Sequence, residues 1–179
     1  MRSSYAISLW REVILKANAF NVRNARLEDT GLILQMIREL ADFEQLLDQV
    51  VTDEETLKHS LFNDPKGPEV LIAEENNQPV GFVLFFHNFS TFLGRKGIYI
   101  EDLYVRSEYR GKGYGELILK EICELAKKRN CGRVEWWVLD WNERAINFYK
   151  KIGAVPMSDW TVFRLTEESI NRLILKIEK

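Results

Sequence analysis

The alternation of hydrophobic and polar residues predicts a chain that mixes short strands with amphipathic helices. Apolar runs bounded by polar turns predict strands over residues 20–26, 70–73, 80–86, 97–105 and 133–138. Apolar residues at helical spacing predict helices that follow residue 28, the glycine-rich stretch 110–115 and residue 142. Two final strands, 154–156 and 160–166, and a closing helix over 167–179 complete the expected order.

A basic, glycine-rich turn joins strand 97–105 to the following helix. Gly111, Gly113 and Gly115 occupy alternate positions, which lets the backbone approach a bulky anion and turn its N–H groups outward. The helix adds the positive end of its dipole, and Arg110 adds a guanidinium group that can donate two parallel hydrogen bonds to an anion. This order is typical of a phosphate-binding loop, although a tight turn without a ligand has the same sequence pattern.

Two nucleotide-binding loops are disfavoured by the sequence. A Walker-type loop requires Ser or Thr after Gly111-Lys112, but Gly113 follows. A dinucleotide-binding fingerprint requires its third glycine at the position of Glu116. The loop also follows a predicted antiparallel meander and not a first N-terminal strand, which argues against a dinucleotide-binding fold.

Composition and charge fit one soluble globular domain of 179 residues, with 46% hydrophobic and 29% charged residues. A net charge of −2 gives no general attraction to nucleic acid or anionic membranes, so neither is expected as a partner. Residues 1–19 lack a signal-peptide pattern and are treated as an extension of unknown structure, ahead of a domain over 20–179.

The cysteines and histidines do not predict a metal or thiol site. Cys123 and Cys131 lack the CxxC spacing, and His59 and His87 are isolated from them in sequence. We therefore expect no metal, no disulfide scaffold and no catalytic Cys–His pair, and a cytoplasmic location for the reduced thiols.

An acidic stretch over residues 39–55 contains seven carboxylates and no Lys or Arg, which favours a polycationic ligand. Thr52 and Glu55 predict a capping box at a helix start, which explains part of this charge. The other acidic residues form either a cation-binding surface or a solvated helix face. They are Glu39, Asp42, Glu44 and Asp48.

From about residue 20 onwards the chain resembles the GNAT N-acetyltransferases, in particular their diamine (spermidine/spermine) branch. Arg110, Gly113 and Gly115 match the acetyl-CoA pyrophosphate loop Arg/Gln-x-x-Gly-x-Gly/Ala. Glu101-Asp102 precedes this loop, and Trp141-Asn142-Glu143 and Ile146-Asn147-Phe148-Tyr149-Lys150 follow it. The resemblance implies an α/β fold with a mixed, mostly antiparallel sheet that is splayed after its third central strand and has helices on both faces.

The resemblance further implies acetyl transfer from acetyl-CoA to a primary amine of a small polycation such as spermidine. Direct attack is expected, since no activated Cys or Ser is apparent. Two alternatives stay open: the same machinery acting on a lysine-like amino acid or a protein N-terminus, and a CoA-binding sensor without catalysis. A homodimer is expected because the family often dimerises.

Acyl transfer requires a neutral nitrogen, so a base or water relay must remove a proton from the ammonium group. Neighbours in a regular strand face opposite sides, so Glu101 and Asp102 share a cleft only if the strand bulges, as it does in the family. By resemblance, Glu101 binds the amine or starts the proton relay, and Asp102 holds a substrate charge. Tyr149 is expected to donate to the departing CoA thiolate.

The remaining site residues also follow from the resemblance. The expected cofactor-binding residues are Leu103, Tyr104, Val105, Arg110, Gly111, Lys112, Gly113, Tyr114, Gly115 and Asn142. Asn142 is expected to cap its helix as well. The expected substrate-side residues are Phe43, Glu44, Glu101, Asp102, Glu135, Trp136 and Trp137. Phe43 stands where the branch tends to have tyrosine, and the residues 135–137 are bulkier than expected.

Overall fold

The computed structural model describes residues 20–177, so the predicted extension over residues 1–19 lies outside it. Neighbouring strands of its one five-stranded sheet follow chain order. The strands are β1 Phe20–Asn24, β2 Glu69–Glu75, β3 Gln78–Ser90, β4 Arg95–Val105 and β5 Val134–Trp136. Pairs from β1 to β4 are antiparallel and β4 pairs with β5 in parallel, which confirms the mixed, mostly antiparallel sheet.

Within the described residues the α-helices are α1 Thr30–Phe43, α2 Glu54–Lys58, α3 Tyr114–Lys128, α4 Glu143–Lys151 and α5 Glu167–Ile177. None of them is both long enough and apolar enough to span a membrane. The predicted capping box of α2 is wrong, because Asp53 and not Thr52 is the N-cap. Its Oδ1 accepts a hydrogen bond of 2.8 Å from the Thr56 amide.

The main core lies between α1 and one face of the sheet. Phe82 and Leu84 of β3 pack there with Ile33 and Met36 of α1. The alternate β3 residues, including Phe85, face the other side of the sheet. There α3 packs against β4, and Arg129, which follows α3, lies 5.9 Å from the Phe85 ring. Helices therefore cover both faces, as expected.

The chain divides into one compact unit that ends at Trp137 and a second that begins at Val138. In the second unit, the predicted strands over 154–156 and 160–166 are wrong, because these residues form no strand. Trp160 and Phe163 are 71% and 91% exposed. A strand requires a hydrogen-bonded neighbour, and the apolar alternation of this segment does not supply one.

Candidate active site

A β-bulge at Glu101 interrupts the ladder between β3 and β4. Leu84 lies opposite Asp102, but the next β3 residue, Phe85, lies opposite Ile100. Glu101 is therefore an additional residue in β4, and the bulge that the resemblance implied is confirmed. Because of it, the strict alternation that would send Glu101 and Asp102 to opposite sides no longer applies.

The bulge also determines which backbone groups of β4 face away from β3. The Arg106 amide donates to the Val80 carbonyl at 2.9 Å, which fixes the hydrogen-bonding register after the bulge. In this register Leu103 and Val105 turn their N–H and C=O groups away from β3. On that side β5 pairs with β4 only before the bulge, so the sheet opens beyond it and the expected splay is confirmed.

The glycine-rich loop has the geometry that its sequence predicts. Gly111 and Gly113 have φ angles of 83° and 87°, which favour glycine. A Cβ atom placed on either of them, or on Gly115, would meet no atom within 4 Å. Among the described residues, no amide from 111 to 115 donates to a backbone carbonyl. The loop therefore presents open backbone donors at the start of α3, which fits a pyrophosphate group.

A cavity of about 420 Å³ lies at this end of α3. Its lining combines the loop with the first turns of the helix, and consists of Lys112, Gly113, Glu116, Leu117 and Lys120. Lys112 and Lys120 are paired with Glu75 and Glu124, and the lining also carries the carboxylate of Glu116. The preference for an anion at this end of the helix therefore comes from the open loop amides and the positive end of the helix dipole.

Glu75 at the end of β2 holds the loop in place. It pairs with Lys112 at 3.1 Å and accepts a hydrogen bond from the Tyr114 hydroxyl. Burial, followed by the contact with Glu75, raises the pKa of Tyr114 to about 12. Phe20 stacks on the Tyr114 ring at 4.6 Å. These contacts give Lys112 and Tyr114 a positioning role that the sequence pattern did not reveal.

Arg110 connects the loop to β4 and to the end of α1. Its Nε donates to the Val105 carbonyl at 2.9 Å. Its guanidinium lies 4.2 Å from the centroid of the Phe43 ring and 5.5 Å from that of Tyr104. Tyr104, expected among the cofactor-binding residues, is only 7% exposed and packs in the core with α1, so it does not lie on the open side of β4.

Three carboxylates meet near the bulge. Burial is the main cause that raises the pKa of Asp102 to about 6, and the charges of Glu101 and Glu44 raise it further. Asp102 lies opposite Leu84, so its side chain is on the α1 face of the sheet, and Glu44 follows the last residue of α1. Within residues 20–177, no cation and no hydrogen-bond donor contributes to the pKa of Asp102, so the cluster suits a cationic ligand.

The other acidic candidates do not take part in this cluster. Glu39 forms a two-pronged ion pair with Arg106, at 3.0 and 3.1 Å, and also accepts from Gln35. The expectation that the acidic stretch lacks a compensating base is therefore wrong for Glu39, because β4 supplies one. Asp42 and Asp48 are exposed.

An aromatic row extends the α1 face beyond the core. The rings of Phe86 and Tyr99 lie 5.2 Å apart, and Trp137 contacts Tyr99 edge-on at 5.7 Å. Trp137 is 58% exposed. Phe86 and Tyr99 were not among the predicted site residues, although Phe86 continues the alternation of Phe82 and Leu84. Aromatic faces beside carboxylates favour the binding of an ammonium group.

The other substrate-side residues of β5 do not gather at one place. Glu135 pairs with Arg133 at 2.8 Å and accepts from Asn88 at 2.7 Å. Trp136 lies beside Ile100, whose partner Phe85 is on the α3 face, so Trp136 faces away from the aromatic row.

In the second unit, Asn142 is confirmed as the N-cap of α4. Its Oδ1 accepts a hydrogen bond of 3.2 Å from the Ala145 amide. Tyr149 is half-buried on the same helix, with its ring 5.4 Å from that of Phe148. Their contacts with a cofactor stay predictions.

Comparison with known proteins identifies relatives of this chain in sequence and in fold. A sequence profile described as the acetyltransferase (GNAT) family matches residues 34–154. A thialysine N-epsilon-acetyltransferase of Bos taurus is 39% identical over 163 residues, which is 85% of this chain and 95% of that protein. The spermidine/spermine N(1)-acetyltransferase-like protein 1 of Homo sapiens is 33% identical over 161 residues, which is 84% of this chain and 23% of that protein. Among solved structures, an integron cassette protein from the mobile metagenome of V. cholerae aligns with a TM-score of 0.75 at 25% identity, over 87% of this chain and 98% of that chain.

Proposed function

We propose, since this chain belongs to the acetyltransferase (GNAT) family and is an acetyl-CoA-dependent N-acetyltransferase, that its acceptor is a diamine or polyamine such as spermidine. The observation that carries this proposal is the cluster of Glu44, Glu101 and Asp102. A second ammonium group on the acceptor would neutralise carboxylates that otherwise repel one another.

Acetyl-CoA supplies the acetyl group as an activated thioester. We assign its pyrophosphate to the amides of residues 111–115, with Arg110 as the charged partner. Leu103 and Val105 present peptide groups on the open side of β4, where they can pair with the amides of the pantetheine arm. These assignments are supported by the open loop and the interrupted ladder.

The chemistry requires two proton movements. Glu101 takes a proton from the attacking ammonium, directly or through water, because an alkyl ammonium has a pKa near 10.4. The neutral nitrogen then attacks the thioester carbonyl without an acyl-enzyme intermediate. Tyr149 donates to the sulfur as the CoA thiolate leaves. Asp102 holds the distal ammonium of the acceptor.

A lysine-like amino acid is the second candidate acceptor, favoured by the 39% identity to a thialysine N-epsilon-acetyltransferase. Such a substrate carries an α-carboxylate, which requires a cation near the acidic cluster. Of the two arginines that flank the end of β4, Arg106 is paired with Glu39, and we assign Arg110 to the pyrophosphate. The charge pattern therefore favours a polycation without a carboxylate.

A panel of amines, assayed by release of CoA thiol, tests the proposal. Catalytic efficiency should rise from a monoamine to a diamine to spermidine, and added salt should reduce the difference because exposed charges are screened. A monoamine that is as good as spermidine at low salt would contradict the polycation assignment. Release of no CoA with any amine would instead support the sensor alternative.

A further inference from the structure

A thiol, an imidazole and a guanidinium meet near the C-terminal end of α3, and none of them belongs to the site described above. Cys131 Sγ lies 3.9 Å from His87 Nδ1. Arg129 Nη1 lies 2.9 Å from His87 Nε2. His87 and Cys131 are distant in sequence, as noted above, and β3 and the end of α3 bring them together in space.

Hydrogen-bond chemistry fixes the tautomer of His87. A guanidinium can only donate, so Nε2 accepts from Arg129 and Nδ1 carries the ring proton. This N–H donates to the Gly97 carbonyl at 3.0 Å and also faces the Cys131 sulfur. A thiolate at Cys131 would accept from it, whereas a thiol gains little from a second donor.

Arg129 orients the imidazole that faces the sulfur. Glu69 holds the Arg129 guanidinium in a bidentate ion pair. This pair is the main cause of the raised pKa of Arg129, and Cys131 contributes to the same shift. The ion pair and the Arg129–His87 hydrogen bond therefore hold the His87 N–H towards the Cys131 sulfur, where it can donate to a thiolate, the form of cysteine that attacks a disulfide.

Both cysteines line one cavity of about 290 Å³. Its lining contains no carboxylate and consists of Cys123, Ala126, Lys127, Cys131, Gly132, Arg133 and Val134. Arg133 pairs with Glu135, whereas Lys127 has no ion pair among residues 20–177. The cavity therefore has room for a small ligand and favours a negative charge beside the thiol.

We propose that Cys131 is a thiol–disulfide exchange site for small anionic disulfides. The Cys131 thiolate attacks one sulfur of the disulfide, the disulfide bond breaks, and the leaving thiolate takes a proton from solvent. Cys131 is left in a mixed disulfide, with the small disulfide as the oxidant. Attack by a second small thiol reverses the modification.

The two cysteines of the intact chain provide a matched comparison, because Cys123 is exposed and Cys131 is less so. The full-length protein is treated with oxidised glutathione, which is anionic, or with cystamine, which is dicationic, and each cysteine is followed by peptide mass spectrometry. Oxidised glutathione should modify Cys131 at least about tenfold faster than Cys123, and cystamine should show a smaller preference. Equal or faster modification of Cys123 by glutathione would overturn the proposal.

Two substitutions test the positioning groups. His87→Gln should slow the modification of Cys131 severalfold and leave Cys123 unchanged, so the Cys123 rate reports whether the fold is intact. Lys127→Gln should slow the reaction of Cys131 with oxidised glutathione but not with cystamine. Unchanged Cys131 rates in both variants would show that the cluster does not activate the thiol.

Discussion

The guanidinium of Arg110 stacks on the ring of Phe43, with Cζ 4.2 Å from the ring centroid. This contact joins the glycine-rich loop, which we assign to the cofactor, to the end of α1, where Glu44 begins the acidic cluster. The position of the loop arginine therefore depends on a residue that the sequence places on the acceptor side.

Phe43→Ala should weaken the binding of acetyl-CoA by about two- to tenfold, because a cation–π contact contributes about 0.5–1 kcal/mol, and more when it is desolvated. Phe43→Tyr keeps the ring and should bind almost like the wild type. Calorimetric titration with CoA measures both. Equal affinities for the alanine and tyrosine variants would show that the stacking does not position Arg110.

Gly113→Val should reduce the affinity for acetyl-CoA by at least about tenfold, since a branched side chain would occupy the space in front of the loop amides and resist a φ of 87°. Gly94→Val is the matched control. Gly94 also has a positive φ, 62°, and open space around its Cβ position, but it lies in the turn between β3 and β4. A similar loss of affinity in both variants would indicate general destabilisation and contradict the pyrophosphate assignment.

Asp102→Asn should stabilise the protein at neutral pH and impair acceptor binding. The folded state raises the pKa of Asp102 from 3.8 to about 6, so ionisation disfavours folding. The substitution should therefore raise the free energy of unfolding by up to about 3 kcal/mol above pH 6, at about 1.4 kcal/mol per pKa unit. The gain should shrink as pH falls through 6 and vanish below about 4.

Chemical denaturation at several pH values measures this effect. Exposed Asp42 provides the control, and Asp42→Asn should change the stability by less than about 0.5 kcal/mol at every pH. A stability gain for Asp102→Asn that does not depend on pH would contradict a partly buried carboxylate that is ionised at neutral pH. Since the acceptor ammonium requires the ionised form, the wild-type KM for the amine should also rise as pH falls below 6.

Tyr149→Phe should lower turnover by about 10²-fold, because it removes the proposed proton donor while a thiol with a pKa near 8.5 is already a fair leaving group. The ring is retained, so the affinity for acetyl-CoA should stay near wild type. Turnover is measured at saturating amine. Wild-type turnover in this variant would show that Tyr149 is only a packing residue of α4.

The sequence was sufficient to predict most of the elements whose pattern is local, with the N-cap of α2 as the exception. The glycine-rich loop, the helices α1 and α3 and the Asn142 cap depend on residues close together in the chain, and they appear where expected. The strand predictions within residues 154–166 were wrong because a strand requires a neighbouring strand to pair with, and an alternating pattern does not identify that neighbour.

The site differs from the prediction wherever a distant residue decides a side chain's role. Arg106 neutralises Glu39, and Glu75 engages Lys112 and Tyr114, across separations that no periodicity reveals. The contact between His87 and Cys131 could not be predicted for the same reason, because the two residues are 44 positions apart in the chain. These are tertiary contacts, which composition and spacing do not specify.

The comparison of cadaverine with lysine tests the polycation acceptor most directly. The two molecules share the same five-carbon diamine, and lysine adds only an α-carboxylate, which would lie near Glu44, Glu101 and Asp102. At low salt and pH 8, kcat/KM should be at least about tenfold higher for cadaverine, which corresponds to ~1.4 kcal/mol of unfavourable interaction. Equal or higher kcat/KM for lysine would contradict the polycation acceptor and assign the chain to a lysine-like amino acid.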